Sequence, residues 1–337
     1  MSKILVVAPS WVGDVMLAQP LFKRLRENGA IIDALAPPWV APLLARMPEI
    51  NAVISSPFQH GELNLPARRR LGRKLRTSAY AQAIVLPNSW KSALIPFFAR
   101  IPLRTGFVGE IRWGLLNDAR TLDKQRFPLM AERFALLAEA RHAKLKSPLP
   151  RPVLPVEEYK RTALLEKLGL NTHKPVAVFC PGAEYGPAKR WPAQYFAALA
   201  RKLSGAGYAV WLAGSPKDTA IGEEIRNLSG GSANNLCGKT TLDEAIDLIS
   251  CAALVVSNDS GLMHIAAAMD KPLYALYGSS SPSFTPPLSD QAQVIKLDLP
   301  CSPCFQRVCP LGHFNCMMQL TPEIILARIE VKKVQTP

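Results

Sequence analysis

The chain has 337 residues, 48% of them hydrophobic and 20% charged, which is long enough for two α/β domains with a core apiece and too apolar for a disordered chain. Its formal charge of +14, from 40 Lys+Arg against 26 Asp+Glu, calls for an anionic partner: nucleic acid, a phosphorylated glycolipid or an anionic membrane surface. No apolar run approaches the ~20 residues that span a bilayer, and the apolar opening at 4–9 is too short for a signal peptide, so the expected location is cytoplasmic.

The first elements read strand, turn, helix. Residues 4–8 are an aliphatic run, 9–14 (Pro-Ser-Trp-Val-Gly-Asp) a turn, and 15–26 carry apolar residues at helical spacing. Further aliphatic runs at 31–35, 52–55 and 83–87 alternate with helical patterns at 42–47 and 68–77, the rhythm of a parallel sheet with crossover helices. Much of the positive charge lies here, in Arg68, Arg69, Arg70, Arg73, Lys74 and Arg76, then Lys91, Arg100, Arg104, Arg112 and Arg120. The first cluster alone reads as a solvated helix face. The interleaved Trp90, Phe97, Phe98, Phe107 and Trp113 point instead to an amphipathic surface that meets lipid.

Residues 147–155 hold four prolines in nine positions, a stiff segment that predicts a linker and a domain boundary at 155/156. The βα rhythm then restarts. Helices are expected at 157–168, 193–205, 218–228, 242–250 and 262–269, and strands at 176–180, 209–213, 254–257 and 273–277. This makes a second Rossmann-like domain over 156–321, followed by a helix at 322–331 in a tail that packs back on the first domain or stays with the second. Ligands of open α/β sheets lie outside the carboxyl ends of the strands, so residues at those ends are the site candidates.

Three such turns stand out. Asp14, after the first strand, either caps its helix or faces the site as a base. Gly13 is the lone glycine of that turn, which lacks the Gly-x-Gly-x-x-Gly spacing of a nicotinamide site. After the strand at 176–180 comes Pro-Gly-Ala-Glu-Tyr-Gly-Pro-Ala-Lys-Arg-Trp-Pro (181–192), a small-residue loop that delivers Lys189 and Arg190 to a helix start and suits a diphosphate. Last, the strand at 254–257 breaks into Asn258-Asp259-Ser260-Gly261-Leu262-Met263-His264, where backbone N–H groups and a helix dipole favour an anion. No Asp-x-Asp cluster stands where a divalent metal would hold a nucleotide diphosphate, so cationic side chains and helix dipoles are expected to carry that charge.

Cys301, Cys304, Cys309 and Cys316 fall within sixteen residues, with His313 among them. Four thiolates can hold zinc or an iron–sulfur cluster, yet the gaps match neither a zinc ribbon nor a ferredoxin run, and reduced thiols in a Pro-rich loop are the expectation.

Trp11-Val12-Gly13-Asp14, the 181–192 run, Asn258 to His264 and Cys309-Pro310-Leu311-Gly312-His313 together resemble, in order and over nearly the whole chain, the ADP-heptose:lipopolysaccharide heptosyltransferases. The resemblance implies an α/β GT-B fold, two Rossmann-like doubly wound domains facing across a cleft, the first for the sugar acceptor and the second for the nucleotide-sugar. It implies an inverting, metal-independent transfer with no cofactor, and a peripheral station at the cytoplasmic face of the inner membrane. Asp14 matches the base, Lys189 the lysine on the donor phosphates, and Asp259, Ser260, Gly261 and His264 the donor-binding turn; Gly13 and the backbone of Gly182 and Ala183 complete the donor set. The motifs are nearest the type II branch, which adds L-glycero-D-manno-heptose to the first heptose of the inner core; the type I branch, acting on Kdo2-lipid A, is the alternative. Type I members carry two threonines where this chain has Ala183-Glu184, and a ribose-binding glutamate for which Asp218 is the nearest substitute here. An anionic lipid acceptor accounts for the charge, with Lys91, Arg104 and Arg112 as candidates by charge and placement; they could equally be salt-bridge partners. A basic module for nucleic acid or membrane would share the charge but would not require Lys189, Asp259 and His264 at strand ends, so no nucleic-acid partner is expected.

Overall fold

In the computed structural model, which describes residues 2–59 and 61–329, the chain divides into two compact units, Met1–Pro152 and Val153–Pro337.

The first unit holds strands β1 (Lys3–Val7), β2 (Ile31–Ala36), β3 (Ile50–Ser55), β4 (Gln82–Val85), β5 (Leu103–Phe107) and β6 (Asp118–Arg120). All pair in parallel, in the order β3-β2-β1-β4-β5-β6. Its helices are α1 (Val12–Glu27), α2 (Ala41–Ala45), α3 (Leu65–Leu75), α4 (Leu94–Phe98) and α5 (Met130–Leu136). Strand β1 is buried over its last four residues because it lies mid-sheet with helices on it, which is why it reads as a continuous aliphatic run. Helix α1 starts earlier than its apolar spacing suggests: Trp11 is extended and Val12 already helical, so Gly13 and Asp14 belong to the first turn of the helix. Strands β5 and β6 escape the sequence pattern because Leu-Arg-Thr-Gly-Phe and Asp-Ala-Arg contain no aliphatic run.

The second unit repeats the plan with helix α6 (Glu158–Leu168), strand β7 (Val176–Cys180), helix α7 (Ala193–Gly205), strand β8 (Ala209–Leu212), helix α8 (Thr219–Leu228), strand β9 (Ala233–Asn235) and helix α9 (Leu242–Ser250). Strand β10 (Ala252–Asn258), helix α10 (Gly261–Ala268), strands β11 (Leu273–Tyr277) and β12 (Ala292–Lys296), and helices α11 (Asn315–Met318) and α12 (Pro322–Leu326) follow. The parallel sheet runs β12-β11-β10-β7-β8-β9. Read from its first strand this is the same order as in the first unit, so the chain reverses direction between β1 and β4 in one sheet and between β7 and β10 in the other. A ligand crevice of a doubly wound sheet opens at that switch point.

Helix α12 packs against α7, and Ile325 and Ile329 join the core of the second unit. Residues 330–337, which the sequence assigns to the end of this helix and the tail, lie outside the described residues. No helix among the described residues is long and apolar enough to cross a membrane.

Candidate active site

At the second switch point two loops are tied together by buried polar groups. Asn258, the last residue of β10, is fully buried; its Nδ2 donates to the carbonyl of Pro181 (2.7 Å) and its Oδ1 accepts from the backbone N–H of Trp191 (3.1 Å). One amide thus clamps both ends of the loop between β7 and α7. Trp191 seals that loop onto the core: its ring is 1% exposed, meets Phe196 edge to face at 4.8 Å, and donates Nε1 to the Leu320 carbonyl (2.6 Å).

Within this frame the short 3-10 turn Pro187–Lys189 aims Lys189 at Asp259, with Nζ to Oδ2 at 2.6 Å. Asp259 is 5% exposed, and the same Oδ2 accepts from the Ser280 hydroxyl. Ser280 lies in the polar run Gly278-Ser279-Ser280-Ser281 after β11, next to β10 in the sheet; the sequence reading passed it over, although a small polar run after a buried strand is the same signal that marks the other turns. Ser260 precedes α10 in extended conformation and makes no side-chain cap, so the first amides of α10 stay available to an anion. His264, on the same helix, is buried, and that burial lowers its pKa to about 4, against a smaller upward pull from Asp259 and a downward one from Lys189. It is therefore a neutral hydrogen-bonding group near neutral pH, not a third charge.

Gly182 and Asp218 explain one another. A Cβ on Gly182 would lie 2.5–2.6 Å from the carboxylate of Asp218, so the loop passes at a distance only glycine permits. Asp218 Oδ2 accepts from the N–H (2.9 Å) and hydroxyl (2.7 Å) of Ser215. The carboxylate nearest to a ribose substitute in the sequence thus also caps its own turn and backs the loop. Ala183 is buried, while the neighbouring Glu184 pairs with Lys217 on the surface, a contact of small energetic weight.

At the first switch point the loops leaving β1 and β4 emerge side by side, the Leu86 N–H donating to the Val7 carbonyl (3.2 Å). Asp14, half-buried, sits in the first turn of α1. Trp39 donates Nε1 to the Ser10 carbonyl (2.8 Å) and shapes the turn before it.

Arg112, a candidate acceptor contact by charge and placement, has its guanidinium engaged inside the first unit. It is 3% exposed, and its guanidinium donates to the carbonyls of Phe107 (Nε, 3.0 Å) and Pro87 (Nη1, 2.7 Å) and to Asn88 Oδ1 (Nη2, 3.3 Å), bracing the loop after β4. Charge made it look like a ligand group; burial makes it a strut. Arg104 donates to the carbonyls of Leu115 (2.7 Å) and Ile101 (2.6 Å), and Lys91 to that of Gly61 (2.8 Å). Arg104 also lines an open groove with Arg69, Arg76, Arg100, Phe97 and Phe98, which joins the cationic face of α3 to the aromatic α4.

The seven cysteines are free thiols. Burial pushes the Cys237 thiol up to about 12, whereas the backbone N–H of Phe314, first among several amides of its own loop, pulls that of Cys309 down. Among the described residues no group of three or more His, Cys, Asp or Glu side chains is arranged to hold a metal ion.

Residues 68–315 match the model of glycosyltransferase family 9 (heptosyltransferase). The chain is 49% identical to lipopolysaccharide heptosyltransferase 2 of Salmonella typhimurium, covering 97% of both, and 47% identical to that of Escherichia coli, covering 99% of both. The solved structure of the E. coli ADP-heptose lps heptosyltransferase II superposes with a TM-score of 0.86 at 46% identity, over 96% of each chain. Two parallel six-stranded α/β sheets of GT-B type and a family match that contains both loops of the second switch point lead to one conclusion: the chain belongs to glycosyltransferase family 9, the heptosyltransferases.

Proposed function

We propose that this chain moves L-glycero-D-manno-heptose from ADP-heptose to the first heptose of the lipopolysaccharide inner core, inverting the anomeric carbon, with Asp14 as general base. The observation that carries the reading is the Lys189–Asp259 pair beside the uncapped start of α10, at the switch point of the second sheet. Such a place suits a diphosphate. Lys189, held in place by Asp259, turns its remaining donors to the donor phosphates, the amides after Ser260 and Gly261 take a phosphate oxygen, and neutral His264 contributes a hydrogen bond.

In the reaction the Asp14 carboxylate takes the proton of the acceptor hydroxyl as that oxygen bonds to the anomeric carbon and the bond to ADP breaks. Charge growing on ADP meets Lys189 and the α10 dipole, which are in place before the reaction begins. An anionic acceptor at the cytoplasmic face of the inner membrane agrees with the chain's positive charge and with the basic groove of α3 and α4. The type II acceptor is favoured by near-half identity, over nearly full length, to relatives that bear the heptosyltransferase 2 name.

The test is heptose transfer from ADP-heptose, with EDTA present, to Kdo2-lipid A and to its mono-heptosylated form side by side. Transfer to the mono-heptosylated acceptor alone is expected. Transfer to bare Kdo2-lipid A would reassign the chain to the type I step, transfer abolished by EDTA would refute metal independence, and no transfer to either would refute the reading.

A further inference from the structure

The cysteine-rich segment takes no part in the chemistry above, yet it is built into the donor side of the second unit. It is pinned to the loop after β11, where the Phe305 N–H donates to the Ser279 carbonyl (2.7 Å) and the Ser302 hydroxyl to that of Gly278 (2.7 Å). It is pinned again to the lysine loop: the Ala188 N–H donates to the Arg307 carbonyl (3.0 Å) and the Tyr185 hydroxyl to that of Phe305 (2.7 Å). The approach is close, since a Cβ on Gly186 would collide with the Arg307 carbonyl oxygen.

These bonds hold the backbone of Arg307 against the lysine loop while its side chain stays exposed. Its guanidinium carbon lies 5.3 Å from the centroid of the Tyr185 ring, and Lys189 Nζ lies 5.1 Å from the same centroid. Two cations therefore lie beside one ring, an arrangement whose self-repulsion an anion near both would relieve. Their situations differ. Lys189 is matched by Asp259, whereas no ion pair joins Arg307 to a carboxylate among the described residues. A diphosphate brings more negative charge than a lysine already facing an aspartate can offset, and the planar fork of an arginine suits phosphate oxygens.

We propose that the cysteine-rich segment is an arm of the donor site and that Arg307 is a second cation for the donor diphosphate, working beside Lys189. The inference rests on the assignment of the second unit to the nucleotide-sugar. It gives the segment a task that depends on its backbone fold rather than on cysteine chemistry.

The experiment is calorimetric titration of the full chain with ADP, and with adenosine by competition, for wild type, Arg307→Ala and Arg307→Lys. Arg307→Ala should weaken ADP roughly tenfold while leaving adenosine within about twofold, as loss of one charge-assisted contact predicts. Arg307→Lys should recover part of the loss, because charge returns without the fork. Unchanged ADP affinity in Arg307→Ala, or equal weakening of ADP and adenosine, would overturn the inference and leave Arg307 a structural residue. Wild-type protein that binds no ADP would overturn the donor-site assignment itself, and the inference with it.

Discussion

The two switch points share a strand order and differ in nearly everything built on it. In the second unit the loops after β7, β10 and β11 are cross-linked by buried side chains: Asn258 on two backbone groups, Asp259 on Lys189 and Ser280, and Asp218 behind Gly182. In the first unit one buried guanidinium, Arg112, braces the loop after β4, and Asp14 stands half-buried on the first turn of a helix. The difference matches the chemistry proposed for each. A diphosphate demands positive charge and amides in fixed places before it arrives, and buried networks hold such places at little reorganisation cost. A base needs one carboxylate and room for a hydroxyl, which the first turn of a helix at a strand end can supply.

If the second unit is the rigid partner, its anchors should matter most. Trp191→Ala removes a 1% exposed indole that packs on Phe196 and ties the lysine loop to the core, and it should cost about 3–5 kcal/mol in urea unfolding. A cost under ~1 kcal/mol would mean that the loop is not seated as described.

The buried imidazole gives a pH signature confined to the same region. Folded His264 stays neutral down to about pH 4, while the unfolded chain gains this proton near 6.5, so acid favours unfolding between those values. Its contribution is complete above about pH 6.5 and shrinks by up to roughly 3 kcal/mol toward pH 4. Unfolding free energies at pH 6.5 and 4.5 should diverge more in wild type than in His264→Gln. Equal divergence would show that the imidazole is not the group responsible.

Smaller effects sharpen the comparison. Gly182→Ala sets a methyl against the Asp218 carboxylate and should destabilise by about 1–3 kcal/mol, measured as a lower denaturation midpoint at unchanged slope. Ser280→Ala removes one of two groups on Asp259 Oδ2 and should weaken ADP by a few-fold, about 1 kcal/mol, with Ser280→Thr restoring binding if the hydroxyl alone is responsible.

Local chemistry was legible in the sequence where it stood at the end of an apolar strand. Strands β1, β7 and β10 announce themselves as apolar runs because they are largely buried, and each is followed by a turn whose residues are read without knowing the fold. The edge strands β9 and β12 were not, since Ala-Asn-Asn and Ala-Gln-Val-Ile-Lys satisfy a sheet on one side only and need no apolar pattern. The burial of Arg112 was not legible, because charge is visible in a sequence and burial is not. The role of Asn258 was hidden for a related reason: its two partners lie 67 and 77 residues away, and only the parallel pairing of β10 with β7 brings them together.

The division of labour between the two switch points is tested most directly by measuring heptose transfer and ADP affinity together in Asp14→Asn and Lys189→Ala. Asp14→Asn should lose transfer by about 10²–10⁴-fold while binding ADP as the wild type does, whereas Lys189→Ala should lose about tenfold or more in ADP affinity as well as rate. Unimpaired turnover in Asp14→Asn, or undiminished ADP binding in Lys189→Ala, would contradict it.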